Sequence, residues 1–479
     1  MNLDDVSVET VVSAAATAIG AVSLAFIPLV LLRKKEASST IAWILVLVFL
    51  PLVGVVLFWF LGRDRVRRPV REKASTNVMV RGHLSDLSVP VTESLEPVVD
   101  EPGGEGRGLV RLASRVGRMD VVGGNRVDIL VGAPATYDAH VEAIEAARDH
   151  VHLMFYIFRQ DAPGRRLRDA LVAAARRGVR VRLLVDGFGS RGLGSRFLAP
   201  LLEAGGHVAR FLPLDPVRRA WTINLRNHRK LMVVDGEVGF TGGINVGEEF
   251  LGWRDVHLRV RGPAVHQLQT VFVEDWYFAA RYNPVHPAFF PRIEPQGRSA
   301  MQLVASGPDG TVESIHRLYV AAITSARGRV LITTPYFVPD RALLVALQTT
   351  ALRGVDVRLI LPRQSNHRVT FHAGRSYYDE LLDAGVEIHE YLPGMLHTKT
   401  MVVDGAFATI GSANLDTRSF RLSFELIAAL WDREVAGELE AIFEADLRNT
   451  ERVDPAQWRR RGVVPRVKEG FGRLWTPLL

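Results

Sequence analysis

Two stretches near the N-terminus carry no charged side chain, Val11 to Leu32 and Thr40 to Gly62. About 20 apolar residues suffice to cross a hydrocarbon core of about 30 Å, and prolines such as Pro28 and Pro51 are tolerated in membrane helices. The pattern therefore predicts a two-helix transmembrane hairpin, with helices at about 11–32 and 40–62, inside an N-terminal membrane region 1–73. A secretory signal would need a basic leading region; this chain opens with Asp4, Asp5 and Glu9. Residues 74–124 are rich in Pro, Gly, Ser and acidic side chains, show weak periodicity, and read as a linker.

From Asn125 onward short apolar runs alternate with amphipathic ones. VHLMFYIF predicts a strand, GRRLRDALVAAARRG a helix, VRVRLLVDGF a strand and FLAPLLEAGG a helix. The same order returns as VLITTPYF, ALLVALQTTALRG, VDVRLILP and YYDELLDAG, so that Gly178 recurs as Gly354 and Gly205 as Gly385. A duplication at this length predicts a pseudo-dimer of α/β halves, residues 125–295 and 296–451, each a mixed sheet with helices on both faces. Residues 452–479 form a basic tail. In it Val467, Phe471, Leu474, Trp475 and Leu478 fall at helical spacing opposite Arg466, Lys468 and Arg473. Such a helix either lies in the headgroup layer or packs back on the domain; Gly470, Gly472 and Pro477 weaken it.

Each half carries the pattern HxKxxxxD followed by a small pair and an asparagine. The residues are His228, Lys230, Asp235, Gly242, Gly243 and Asn245, and again His397, Lys399, Asp404, Gly411, Ser412 and Asn414. The β-branched run after each lysine predicts that HxK begins a strand, where residues two apart share a face. Imidazole and ammonium then point into one site, and the two HxK strands are expected to meet between the halves. Of 59 basic residues only six are lysines, and between Ala74 and Val467 the only two are those of HxK. Lysine is thus kept where a compact, rotatable ammonium is needed.

Composition narrows the chemistry. There is no cysteine, which excludes disulfides, thiolate metal sites and cysteine nucleophiles. The formal net charge of +7 is concentrated in residues 1–73 and 452–479, leaving a near-neutral centre. That distribution disfavours nucleic acid and favours anionic lipid headgroups. Two histidines and two aspartates could ligate zinc or manganese, but the ammonium beside each histidine argues against a metal. His257, His266, His367, His372 and His389 lie outside the pattern and read as ordinary histidines.

The doubled motif resembles the phospholipase D superfamily. YFVPDRALLVALQTTALRGVDVRLILP and RSYYDELLDAGVEIHEYLPGMLHTK look like its bacterial cardiolipin synthase branch. The resemblance implies two phospholipase D-like α/β/α sandwich halves sharing one site, phosphatidylglycerol as substrate, no cofactor, and a bacterial inner-membrane location. Six basic residues after the second apolar run against three before it place the catalytic part in the cytoplasm. Oligomerisation is compatible with the sequence. A phosphodiester can be exchanged in two steps through a covalent histidine intermediate. Resemblance suggests His228 as nucleophile and His397 as acid, while the near-identical motifs leave that assignment open.

Lys230, Lys399, Asn245 and Asn414, with Gly243 and Ser412, are expected around the phosphate oxygens. Asp255 and Glu425 lie 27 and 28 residues after the histidines and are expected to hold their second ring nitrogens. Asp235 and Asp404 belong to the catalytic motif, though organising the turn suits them better. Tyr336, Arg375, Tyr377, Tyr378 and Arg418 are candidate headgroup contacts. Hydrolysis at the same histidines, a silent membrane scaffold and a nuclease are the alternatives.

Overall fold

The computed structural model describes residues 24–32, 37–58, 67–86, 105–213, 225–310, 312–474 and 476, with scattered positions before 24. Two compact units result, Met1–Arg68 and Pro69–Leu479.

In the first unit the expected helix 40–62 is interrupted. One helix covers Ala37–Phe49 and a second covers Pro51–Leu57. The break falls at Leu50, whose φ and ψ of −130° and 64° are not helical, just before a proline, which disfavours helical backbone in the residue preceding it. Among the described residues no helix is long and apolar enough to cross a membrane. Of the expected helix 11–32, the helix Ile27–Leu31 is described, and most of the remainder lies outside the described residues.

The second unit contains the duplicated sheet. The first half supplies β1 (Val122–Val131), β2 (His150–Phe155), β3 (Arg180–Asp186), β4 (His207–Phe211), β5 (Arg226–Asn227), β6 (Leu231–Val234), β7 (Val238–Gly242) and β8 (Val256–Arg261). The second half supplies β9 (Ser299–Ser306), β10 (Arg329–Thr333), β11 (Phe337–Val338), β12 (Asp356–Pro362), β13 (Glu387–Tyr391), β14 (Thr400–Val403), β15 (Phe407–Gly411), β16 (Leu415–Asp416), β17 (Ser423–Trp431) and β18 (Thr450–Arg452). Their order is β18-β13-β12-β10-β14-β15-β17-β9-β1-β8-β7-β6-β2-β3-β4. The path reads nearly the same from either end, as a pseudo-two-fold requires. The halves join where β1 pairs antiparallel with β9. Each has its own apolar core, one around Leu153, Leu171, Leu183 and Phe240, the other around Ile315, Leu347, Leu359 and Ile427.

The strands β6 and β14 that follow the HxK segments are not hydrogen-bonded neighbours; six strands separate them in the order. What crosses between the halves is the backbone just before each lysine. β5 runs parallel to β17, and the His228 N–H donates to the Phe424 carbonyl at 2.9 Å. In the other half Arg254 N–H donates to Met395 at 2.9 Å and His397 N–H to Arg254 at 2.8 Å.

The expected linker 74–124 is largely ordered, with helices at Arg67–Asp86 and Glu105–Gly117, while residues 87–104 lie outside the described set. The first helix escapes hydrophobic periodicity because its buried face is mostly polar: Lys73, Thr76, Asn77 and Val80. Lys73 Nζ pairs with Asp275 at 2.9 Å and Asn77 Nδ2 donates to Asp309 at 2.9 Å. The second helix places Leu109 and Ala113 in the core of the second half. In the tail, the helix Val463–Arg473 buries Glu469 and Gly472 and leaves Val463, Val467, Phe471 and Leu474 exposed. A Cβ at Gly472 would meet the Ala373 N at 2.7 Å, so glycine permits the close approach to the helix Arg368–Arg375. Trp475 and Leu478 of the tail pattern lie outside the described residues.

Candidate active site

Each HxK segment lies immediately before its strand, not within it. Lys230 is fully buried and its ammonium donates to the His228 carbonyl at 2.6 Å; Lys399 does the same to His397. Each lysine thus arches back over its own histidine. Burial draws the Lys230 pKa down to about 7, with Glu425 opposing and Lys399 adding to the effect. Burial likewise draws Lys399 to about 8, against the pull of Asp255 and Glu425. Two poorly solvated ammonium groups near each other form a strong receptor for an anion.

The carboxylates hold the imidazoles across the halves. His228 Nδ1 lies 3.0 Å from Glu425 Oε2, and His397 Nδ1 lies 2.6 Å from Asp255 Oδ2. The pairing is the reverse of the one suggested by sequence spacing, in which each carboxylate follows its own histidine. An ionised carboxylate accepts the Nδ1 proton and leaves each Nε2 with a lone pair. Burial lowers both histidine pKa values, His397 to about 3, although Glu425 and Asp255 oppose the shift. Both rings are therefore neutral at pH 7 in the unliganded site.

The small pair supports these carboxylates. Gly243 donates its N–H to Val256 at 3.2 Å, and a Cβ there would collide with the Asp255 carboxylate. At the equivalent position Ser412 donates its hydroxyl to Glu425 Oε2 and its N–H to Leu426 at 2.9 Å. Neither residue has a donor left for phosphate, which corrects the expectation for both. Asn245 accepts from the Ile157 N–H through Oδ1 at 3.1 Å, leaving its amide N–H groups for a ligand. Asn414 Oδ1 is buried without a hydrogen-bond partner.

Asp235 and Asp404 stand just past the far ends of β6 and β14, five residues or about 16 Å of extended chain from the lysines. Both adopt left-handed backbone, with φ of 54° and 52°. Asp235 accepts from the N–H groups of Arg148, Asp149 and His150 at 2.8–2.9 Å, and Asp404 from those of Arg327, Gly328 and Arg329 at 2.7–2.8 Å. They pin the hairpin turn to the start of β2 and β10, and do not reach the reacting groups.

The headgroup candidates divide. Tyr336 donates to Asn366 Oδ1 at 2.7 Å, with its ring 5.3 Å from His367. Burial draws the His367 pKa down and the Arg418 charge adds to the effect, while the same charge opposes the upward shift that burial gives Tyr156. Arg375, Tyr377 and Tyr378 belong elsewhere. Arg375 pairs with Glu390 and stacks 4.7 Å from the Trp458 ring, Tyr378 stacks on Trp458 at 4.8 Å, and Tyr377 meets Thr476 at 3.2 Å. These three seat the C-terminal segment, which corrects their assignment.

Tyr156 and Trp253 were not expected at the site. The Tyr156 ring lies 4.9 Å from His228 and 5.5 Å from the Lys230 ammonium; the Trp253 ring lies 5.1 Å from His397. In the repeat, VHLMFYIF against VLITTPYF, Tyr156 falls opposite Pro335, one position short of Tyr336, so the duplication does not single it out. Among the described residues no group of three or more acidic or histidine side chains could hold a metal ion.

Comparison with known proteins gives consistent results. Residues 140–276 and 319–447 match the family described as "Cardiolipin synthase, PLD-like domain", and residues 19–63 match the phospholipase D-nuclease N-terminal family. A cardiolipin synthase of Geobacillus kaustophilus is 40% identical over 471 residues, covering 95% of this chain and 92% of that protein. The major cardiolipin synthase of Bacillus subtilis is 37% identical, covering 93% of this chain and 95% of that protein. The crystal structure of a phosphatidylserine synthase from Haemophilus influenzae superimposes with a TM-score of 0.60 at 12% identity, covering 78% of this chain and all of that one. At that identity the likeness speaks to the fold.

Proposed function

The chain belongs to the cardiolipin synthase family of phospholipase D-like enzymes, and we propose that it moves a phosphatidyl group from one phosphatidylglycerol to the headgroup of a second, giving cardiolipin and glycerol. The observation that carries this reading is the pair of crossed histidine–carboxylate contacts, His228 with Glu425 and His397 with Asp255, flanked by Lys230 and Lys399. The two ammonium groups and the Asn245 amide bind the non-bridging oxygens. The His228 Nε2 lone pair attacks phosphorus and the bond to the glycerol oxygen breaks. His397, having taken up a proton as the anion binds, passes it to the departing alkoxide. In the second step neutral His397 removes the hydroxyl proton of the incoming phosphatidylglycerol, whose oxygen attacks phosphorus as the P–N bond breaks. Glu425 and Asp255 fix both rings throughout. Tyr336 and Arg418 stand where a headgroup would enter. The basic tail, with its exposed apolar stripe, favours contact with anionic lipid, and a first transmembrane segment at about 11–32 anchors the chain.

Full-length protein in liposomes of headgroup-labelled phosphatidylglycerol tests the reaction. Cardiolipin and free glycerol in equal amounts, unaffected by EDTA, are expected. Phosphatidic acid with glycerol would identify water as the acceptor and overturn the synthase assignment.

The lysine pKa values predict the alkaline limb. An ammonium carries its charge below its pKa, so kcat/KM, which reports the free enzyme, falls as pH rises through about 7 to 8. Bound phosphate stabilises the ammonium form, so kcat declines at higher pH than kcat/KM. Profiles of both constants from pH 6 to 10 decide the point; coincident limbs would count against lysine deprotonation as the cause.

A further inference from the structure

The broken apolar helix near the N-terminus folds back on itself. The Phe58 ring, just past the helix Pro51–Leu57, lies 5.3 Å from Trp43 in the helix Ala37–Phe49 and 6.0 Å from Phe26. In one straight helix the 15 residues from Trp43 to Phe58 would place those side chains about 22 Å apart along the axis. Gly54 makes the return close: a Cβ there would lie 2.6 Å from the Val46 carbonyl oxygen. Leu47 and Phe58 are buried inside this fold with Val30, whereas Ile41, Leu45, Val48, Leu52, Val53 and Val56 face outward. The 13 residues of Ala37–Phe49 reach about 20 Å, short of the roughly 30 Å of a hydrocarbon core.

Charge gives an independent argument. Arg33, Lys34 and Lys35 precede the segment, and Arg63, Arg65, Arg67 and Arg68 follow it. A spanning helix would put one of these clusters on the translocated face, against the bias that keeps basic residues cytoplasmic. A returning segment keeps both on one side.

We propose that residues 37–58 form a re-entrant wedge whose outward apolar side chains insert among the acyl chains of a single leaflet, with both basic clusters meeting the anionic headgroups of that leaflet. The inference deepens the membrane attachment described above and rests on it. The expected multi-pass arrangement then loses its second crossing.

The absence of cysteine makes the test direct. Ser38→Cys, Leu50→Cys and Arg65→Cys, each alone in the full chain, are exposed to a membrane-impermeant maleimide in sealed right-side-out and inverted vesicles, then in detergent. Positions 38 and 65 are expected to react from the same face, and position 50 only in detergent. Reaction of 38 and 65 from opposite faces would establish a spanning helix and overturn the wedge. Reaction of position 50 from the face shared by the other two would place the hairpin outside the lipid and overturn insertion. Cardiolipin formation measured on the same vesicles separates failure of the wedge from failure of the enzymatic reading.

Discussion

His228→Ala and His397→Ala each lower cardiolipin formation by about four orders of magnitude or more, because losing one member of a catalytic pair that acts as a unit removes nearly all of its contribution. A change of leaving group separates the two roles. With a p-nitrophenyl phosphodiester the departing phenolate needs no proton, so the variant lacking the general acid regains much of its rate. The variant lacking the nucleophile does not. With His228 as nucleophile and His397 as acid, the first turnover of His397→Ala releases a burst of p-nitrophenol while His228→Ala releases none. The opposite pattern would exchange the assignments, and equal loss in both would refute a proton-transfer role for either histidine.

Asp275→Ala has the largest expected effect on stability. This carboxylate is fully buried and receives Arg229 through two nitrogen–oxygen contacts of 2.8 and 2.9 Å, Lys73 at 2.9 Å and Asn227 at 2.9 Å. The two cations hold its pKa down against the effect of burial. Removing it strands both cations in a dry interior, which costs about 3–5 kcal/mol for a broken buried pair. Arg229 also donates from Nε to the Glu425 carbonyl at 3.1 Å and from a terminal nitrogen to Ser306 at 3.2 Å, both in the second half. The loss therefore loosens the contact between halves as well as the seat of the Lys73 helix. Urea unfolding of the full chain in detergent measures it. Adding Lys73→Met to Asp275→Ala should restore part of the stability, since one uncompensated cation is gone; simple additivity would show that the pair does not interact.

The site residues were legible where chemistry follows from residue type and spacing. The doubled HxK motif and the scarcity of lysine pointed to Lys230 and Lys399, and the repeat of helices and strands gave the two halves. The same scarcity singles out Lys73, one of the six basic residues after the second apolar run, but its helix hides its buried face behind polar residues. The partner of each histidine was not legible, because intervals of 27 and 28 residues are equally compatible with contacts within a half and across the pseudo-two-fold. Gly243 and Ser412 looked like phosphate ligands because their support of Asp255 and Glu425 depends on the neighbouring strands. Arg375, Tyr377 and Tyr378 were misplaced because sequence proximity to the second motif does not show that Trp458 and Thr476 fold onto them. A proline at position 51 is compatible with a membrane span by sequence alone, whereas the backbone at Leu50 turns the chain.

The crossed contacts also order events during synthesis. The ribosome delivers His228 nearly two hundred residues before Glu425, and Asp255 well before His397. A nascent first half therefore carries an imidazole with no acid to set its tautomer and a carboxylate with no ring to hold. The His397–Asp255 dyad needs the chain through His397, and the His228–Glu425 dyad forms only once β17 has been made and laid beside β5, so the complete pair arises only when the chain is nearly finished. An interrupted chain ending between the halves is chemically idle at the membrane, and no separate inhibitor is needed to protect phosphatidylglycerol from it.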